Sequence, residues 1–233
     1  MTLQPIAYFK SPFTDKFGIP RQSGLVPELR GEIRFTDQYR RAEAVRGLEG
    51  FDYIWLIWAF SANRKDPDAP WQPTVRPPRL GGNTRLGVFA TRSPFRPNPL
   101  GLSSVRLDRI DYDCDGAPVI HVLGADLMDG TPIYDIKPYV PYADAHPDAA
   151  GGFTDSEEWT PLSVCIPEGL RAQLERLLGP EGLEALTGAL AQDPRPRYQD
   201  DPERTYGMAF SGLDIHFKTE AGSLTVTGFN EIG

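Results

Sequence analysis

Residues 70 to 99 hold the side chains of this chain best suited to gripping an anion. Arg76, Arg79, Arg85, Arg92 and Arg96 lie there among seven prolines, and no acid occurs between Asp68 and Asp108. A guanidinium presents its donors as a planar fork that matches the edge of a carboxylate or phosphate. Proline fixes φ, while Gly81, Gly82, Gly87 and Gly101 admit backbone shapes closed to other residues, so the arginines ride on a stiff frame. Solubility alone can account for arginines and prolines in a surface loop. Against that stands the apolar run Leu86 to Ala90 (LGVFA), read as a strand threading between the arginine-bearing loops. Loops held by a rigid scaffold are where binding concentrates, and the stretch reads as a built anion-binding site.

The elements that must carry this stretch are mostly strands. Pro5 to Lys10 and Glu32 to Phe35 read as short strands on either side of a loop punctuated by Pro12, Gly18, Pro20 and Gly24. Asp37 to Leu48 has the pattern of a helix capped by Asp37, with Ala42, Val45 and Leu48 on one side. Phe51 to Phe60 (FDYIWLIWAF) is the most apolar run and is expected to be a central strand buried on both faces. Gly101 to Tyr112 alternates as a strand, and Pro118 to Leu123 follows as its hairpin partner across the turn Asp113 to Gly116. Short strands at regular spacing predict a mainly β fold, a β-barrel, over residues 1–145.

A polar, Gly-rich linker then covers residues 146–160, and a small α+β unit is expected over 161–233. Its predicted parts are helices at Glu168 to Leu178 and Glu181 to Ala191, separated by Gly179-Pro180. A rigid connector, Gln192 to Tyr198, leads to a terminal hairpin of Met208 to Lys218 and Ser223 to Phe229 around Ala221-Gly222.

Composition narrows the function. The net charge of -8 splits into +7 for residues 1–106 (16 basic, 9 acidic) and -15 for residues 107–233 (8 basic, 23 acidic). An acidic protein binds nucleic acid poorly without specificity, but a basic half can still make an oriented contact with a phosphate backbone. The three histidines lack metal-ligand spacing, so no metal site is expected. Cys114 and Cys165 each stand alone and read as two reduced core thiols of a cytoplasmic protein, with a single disulfide between them as the alternative. No apolar stretch approaches the ~20 residues of a membrane span, and the N-terminus does not read as a signal peptide.

The blocks PRQSGL, AVRGLEGFDYIWLIWAF, TVRPPRLGG, GVFATRSPFRPNPLGLS, DLMDGTPIYDIKPYVP and AQDPRPRY together resemble the TsaA/TrmO-like family, bacterial tRNA N6-threonylcarbamoyladenosine methyltransferases. The resemblance extends over nearly the whole chain. It implies a non-Rossmann β-barrel, a homodimer, and S-adenosylmethionine as cofactor. The implied reaction is methyl transfer to N6 of threonylcarbamoyladenosine (t6A) at position 37 in the anticodon loop of threonine tRNA, giving m6t6A. No G-x-G-x-x-G follows a strand, which counts against an ordinary doubly wound methyltransferase and not against this class. A methyltransferase acting on a small molecule and a non-catalytic nucleic-acid-binding barrel stay open as alternatives.

By the same resemblance, the cofactor site draws on Gln22, Ser23, Gly24, Ser61, Ala62, Arg92, Leu102, Ala125, Asp126 and Leu127. Arg92 suits the methionyl carboxylate, and Asp126 suits ribose hydroxyls or the positive sulfonium. The family carries His-Gln where this chain has Ser61-Ala62, so only backbone contacts carry over there. Arg21, Arg96 and Lys137 are candidates for the anionic substrate, with Asn98 as a hydrogen-bonding partner and Phe95 or Tyr139 as a stacking surface. The ureido nitrogen of t6A is a poor nucleophile until its proton leaves, and Asp126, Asp129 and Asp135 are the carboxylates that could serve as base.

Overall fold

Apolar and polar residues alternate along most of the strand-forming segments, and that period of two decides which face turns inward. The structure, a computed structural model, describes residues 2–62, 70–77, 84–156, 160–195 and 201–232. Eight strands come first: β1 (Ala7–Lys10), β2 (Arg30–Phe35), β3 (Tyr53–Ala59), β4 (Thr74–Val75), β5 (Leu86–Gly87), β6 (Leu100–Asp111), β7 (Val119–Leu123) and β8 (Pro132–Pro138). Six of them close into an antiparallel barrel in the order β1-β2-β7-β6-β3-β8. Closure leaves no open edge. Ala7, Phe9, Ile33, Ile54, Leu56, Val105, Ile120, Val122 and Ile133 fill the interior.

Three expectations change within this half. The aromatic strand is not buried on both faces. Ile54, Leu56 and Trp58 point inward and are buried, whereas the opposite face is partly open and Tyr53 is exposed. The run Leu86 to Ala90 is not one strand: β5 holds two residues against β4, and Val88–Ala90 turn into a single 3-10 turn. The expected helix Asp37 to Leu48 shrinks to α1 (Ala42–Val45) and a 3-10 turn at Leu48–Gly50. Arg41 is extended, and Gly47 at φ 87 takes a left-handed turn that ends the helix. Arg79, Gly81 and Gly82 lie outside the described residues, as do 157–159 of the linker and 196–198 of the connector.

The remainder forms α2 (Pro141–Asp144), β9 (Ser163–Cys165), α3 (Glu168–Ala191), β10 (Tyr206–Phe210), β11 (Leu213–Glu220) and β12 (Ser223–Glu231). Helix α3 is kinked at Gly179 (φ 73, ψ 168), where the sequence separates two helices at Gly179-Pro180. The terminal segment contains a second tight turn at Ser211-Gly212, so the expected first hairpin strand is two strands, β10 and β11. A four-stranded sheet β10-β11-β12-β9 results. The thiols are free but are not core residues, since Cys114 is half-buried and Cys165 exposed.

The second core reaches back into the first half of the chain. Phe13, Val26 and Leu29 pack with Leu174, Leu186, Leu190, Met208 and Phe217. Ser211 N donates to Pro12 O at 2.7 Å. The loop between β1 and β2 is therefore clamped between the barrel and the C-terminal sheet, and it is the loop that carries Arg21, Gln22, Ser23 and Gly24.

Candidate active site

Register places the end of β3, the start of β6 and the segments flanking β7 and β8 at one end of the barrel. There they enclose a cleft of about 430 Å³ with Lys16 to Gln22 of the β1–β2 loop and with Thr91, Arg92 and Arg96. Trp55, Trp58, Phe60, Leu100 and Leu102 supply apolar walls. Trp58 and Phe60 meet edge to face with ring centroids 4.5 Å apart.

Asp126 is the cleft's carboxylate. Ser103 Oγ donates to Asp126 Oδ1 at 2.6 Å, and Trp58 Nε1 donates to Ser103 Oγ at 3.0 Å. Burial pushes the Asp126 carboxyl above its ordinary range. The Ser103 hydrogen bond, the Arg92 charge and the Ser23 backbone N–H oppose that rise without cancelling it. The Asp126 segment is fixed by the loop opposite: Gly24 N donates to Gly124 O at 2.8 Å, and Gly124 N to Leu29 O at 2.8 Å. Gly124 takes a positive φ of 73, and a Cβ there would meet the Gly24 backbone at 3.4 Å. The left-handed φ, rather than lack of room, is what favours glycine at this position.

The arginines stand at the mouth. Arg92 donates to Gln22 Oε1, and Gln22 Nε2 donates to Arg21 O at 2.6 Å, linking the arginine segment to the β1–β2 loop. Arg96 Nη1 donates to Thr91 O at 2.9 Å, and its guanidinium lies 6.0 Å from the Phe89 ring centroid. Lys16 Nζ donates to Ala62 O at 3.4 Å across the cleft. At Ser61-Ala62 it is a backbone carbonyl that makes this contact.

Eight of the sequence-predicted site residues line the cleft: Arg21, Gln22, Ser61, Ala62, Arg92, Arg96, Leu102 and Asp126. Ser23, Gly24, Ala125 and Leu127 are outside the lining: the Ser23 N–H reaches Asp126, Gly24 is exposed, and the side chains of Ala125 and Leu127 are buried in the core. Asp129 and Asp135 do not join Asp126. Asp129 accepts from Ser11 N at 3.1 Å and pairs with Lys10 at 3.4 Å, whereas Asp135 pairs with Lys137 at 2.8 Å on β8. Tyr139 contacts Trp55 (centroids 5.7 Å) and Tyr53 (6.2 Å), just beyond the wall. Phe95 and Asn98 are exposed on the arginine segment outside the lining.

Sequence reading missed Trp58, Ser103, Lys16, Met128 and Thr131. Trp58 and Ser103 lie in strands that read as plain core, and no local spacing links partners 45 residues apart. Among the described residues no group of three or more His, Cys, Asp or Glu gathers to hold a metal, and no helix is long and apolar enough to cross a membrane.

The sequence profile of the tRNA-methyltransferase O N-terminal domain matches residues 8–145, and that of the TrmO C-terminal domain matches residues 160–232. The chain is 42% identical over 225 residues to the tRNA (adenine(37)-N6)-methyltransferase of Escherichia coli (strain K12), covering 94% of each chain. It is 43% identical over 221 residues to a Pseudomonas aeruginosa protein named putative S-adenosylmethionine-dependent methyltransferase RcsF, covering 93% of this chain and 91% of that one. The crystal structure of TrmO from Pseudomonas aeruginosa aligns with a TM-score of 0.79 at 33% identity, covering 99% of this chain and 98% of that one.

Proposed function

The chain belongs to the tRNA-methyltransferase O family, and from that premise we propose that it methylates N6 of t6A at adenosine 37 of threonine tRNA, using S-adenosylmethionine, to give m6t6A. The observation that carries this reading is a cleft with a carboxylate, the half-buried Asp126, in its wall and an arginine, Arg92, beside it.

The residues present fit the cofactor. A volume of about 430 Å³ lies within the range of about 300–1,000 Å³ typical of small-molecule clefts. Aromatic and aliphatic walls suit an adenosine, Asp126 suits a cationic centre, and Arg92 suits a carboxylate. When bound, the cofactor supplies an electrophilic methyl on a positively charged sulfur. Gln22 steadies Arg92, while Ser61, Ala62 and Leu102 offer the backbone and apolar surface around the adenosine, and Ala125 and Leu127 anchor the Asp126 segment in the core.

Asp126 acts as the proton acceptor. With the methyl that the bound cofactor would supply to N6, the Asp126 carboxylate would take the proton that N6 loses and release it to water. Its raised pKa brings this base closer to neutral pH, where general-base efficiency is greatest. Asp129 and Asp135, each already in an ion pair, are left to hold β1 and β8. Arg21 and Arg96 receive the threonyl carboxylate or phosphate, with Lys137, Asn98, Phe95 and Tyr139 flanking the tRNA path. Residues 1–145 form the catalytic barrel, 146–160 the linker and 161–233 the supporting unit. Assembly as a homodimer in the cytoplasm follows from the family resemblance.

Calorimetry with S-adenosylmethionine and no tRNA tests the cofactor assignment. Binding is expected, weakened about tenfold or more in Arg92→Ala, the loss of one charge-assisted pair. Absence of binding would contradict the cofactor assignment and favour the non-catalytic nucleic-acid-binding barrel.

A further inference from the structure

We propose that Ser103, held in place by Trp58, is a positioning residue that determines which oxygen of Asp126 takes up the proton. The proposal rests on the reading of Asp126 as proton acceptor. It adds two residues whose part in the reaction is to orient that carboxylate.

The argument is one of hydrogen-bond direction. An indole N–H can only donate. At 3.0 Å from Trp58 Nε1, Ser103 Oγ must therefore accept, and its single proton is left to point elsewhere. Asp126 Oδ1 lies 2.6 Å away, the short distance of a hydroxyl donating to a charged oxygen. The chain Trp58 to Ser103 to Asp126 runs in one direction only. With Oδ1 receiving the hydroxyl hydrogen, an arriving proton falls to Oδ2.

Packing removes the alternatives. Ser103 is 2% exposed on β6, so water does not compete for its hydroxyl. Trp58 is fixed from below by Gly101, where an added Cβ would come within 2.3 Å of the ring, and from the side by Phe60. The groups facing the Asp126 carboxylate are the Ser103 hydroxyl from β6, the backbone N–H of Asp126 itself, the Arg92 charge from the arginine segment and the Ser23 backbone N–H from the β1–β2 loop. Of these, only the Ser103 hydroxyl has a direction set by a further donor.

A hydrogen bond from Ser103 favours the ionised carboxylate, opposing burial. Removing it makes Asp126 harder to ionise and leaves Oδ1 as available to the proton as Oδ2. The test has two readouts on wild type, Ser103→Ala, Ser103→Thr and Trp58→Phe. One is the Asp126 carboxyl midpoint in the cofactor-free protein, followed by carbon-13 NMR. The other is the acid limb of single-turnover methyl transfer. Losing a hydrogen bond to a charged group corresponds to roughly ten- to a hundredfold in the ionisation equilibrium, a rise of about one to two on the pH scale.

Ser103→Ala is expected to raise the midpoint and the acid limb together, Ser103→Thr to restore both, and Trp58→Phe to fall between. Should Ser103→Ala fail to fold, Trp58→Phe carries the same comparison with a smaller change. An unmoved NMR midpoint in folded Ser103→Ala overturns the positioning role by itself. A raised midpoint with an unmoved acid limb overturns the reading of Asp126 as proton acceptor, and the proposal with it.

Discussion

Trp58 and Gly101 face each other as register partners across β3 and β6, and the indole lies directly over the bare Cα. A Cβ at position 101 would come to 2.3 Å from Trp58 Cε2, closer than any real contact. Trp58 is a rigid, buried side chain and cannot swing aside cheaply. Gly101→Ala is expected to cost about 1–3 kcal/mol in urea unfolding, the range for overpacked cores. Calorimetry should show a cofactor affinity at least about tenfold weaker, because the displaced ring is also a wall of the cleft. Unchanged affinity in the folded variant would separate Trp58 from the site.

Asp126→Asn should trade activity for stability. The carboxyl is raised above its ordinary 3.8 in the fold, so the folded chain binds the proton more tightly than the unfolded chain. Its contribution to stability is therefore fully present below pH 3.8 and is lost as pH rises through the raised value. At neutral pH the ionised group destabilises the fold, and the neutral amide relieves this. A higher Tm than wild type at neutral pH is expected. Methyl transfer should fall by about 10²–10⁴, the range for a lost general base. A Tm that falls instead would contradict the burial argument.

Gly18 ties the C-terminal sheet to the cleft loop. It sits at φ +92, and an added Cβ would meet Met208 Sδ at 2.2 Å. Met208 is itself 1% exposed, so its flexible end has nowhere to go. Gly18→Ala is expected to cost about 2 kcal/mol or more from strain and overpacking together. Because Lys16, Arg21 and Gln22 lie in the same loop, cofactor binding should weaken as well. Chemical denaturation and calorimetry on one preparation check both effects.

Phe89 is 69% exposed outside the cleft lining, with Trp71 at a centroid distance of 6.0 Å and Arg96 over its ring. An unpaired nucleotide beside the target base is expected to stack there. Phe89→Ala should lower tRNA affinity by about 1–3 kcal/mol while leaving cofactor binding as it was. Filter binding with tRNA and calorimetry with cofactor make the comparison.

Five of the six barrel strands were legible because alternation survives translation into a pleated sheet. The sixth, β8 (Pro132–Pro138), closes the barrel between β1 and β3 and did not read as a strand among its prolines and charged residues. Leu100–Asp111 and Val119–Leu123 lie within a residue or so of where the sequence puts them. The arginine segment was harder to read. Leu86 to Ala90 has the residues of a strand, but β4 offers only a two-residue partner, and the chain turns at Val88. Arg92, Gln22 and Asp126 were legible through their motifs and converge on one cleft. The three aspartates looked alike in sequence. A turn at Gly130 (φ +73) and the start of β8 carry Asp129 and Asp135 to other faces. Ser103 gave no signal at all, since its role comes from a tryptophan on the neighbouring strand.

The most direct test of the proposed reaction uses labelled S-adenosylmethionine and two tRNA pools, one carrying t6A and one from cells unable to make it. After digestion to nucleosides, label is expected only with the first pool, in a product with the mass and mobility of m6t6A. Label in plain adenosine from either pool, or none in either although the cofactor binds, would contradict it.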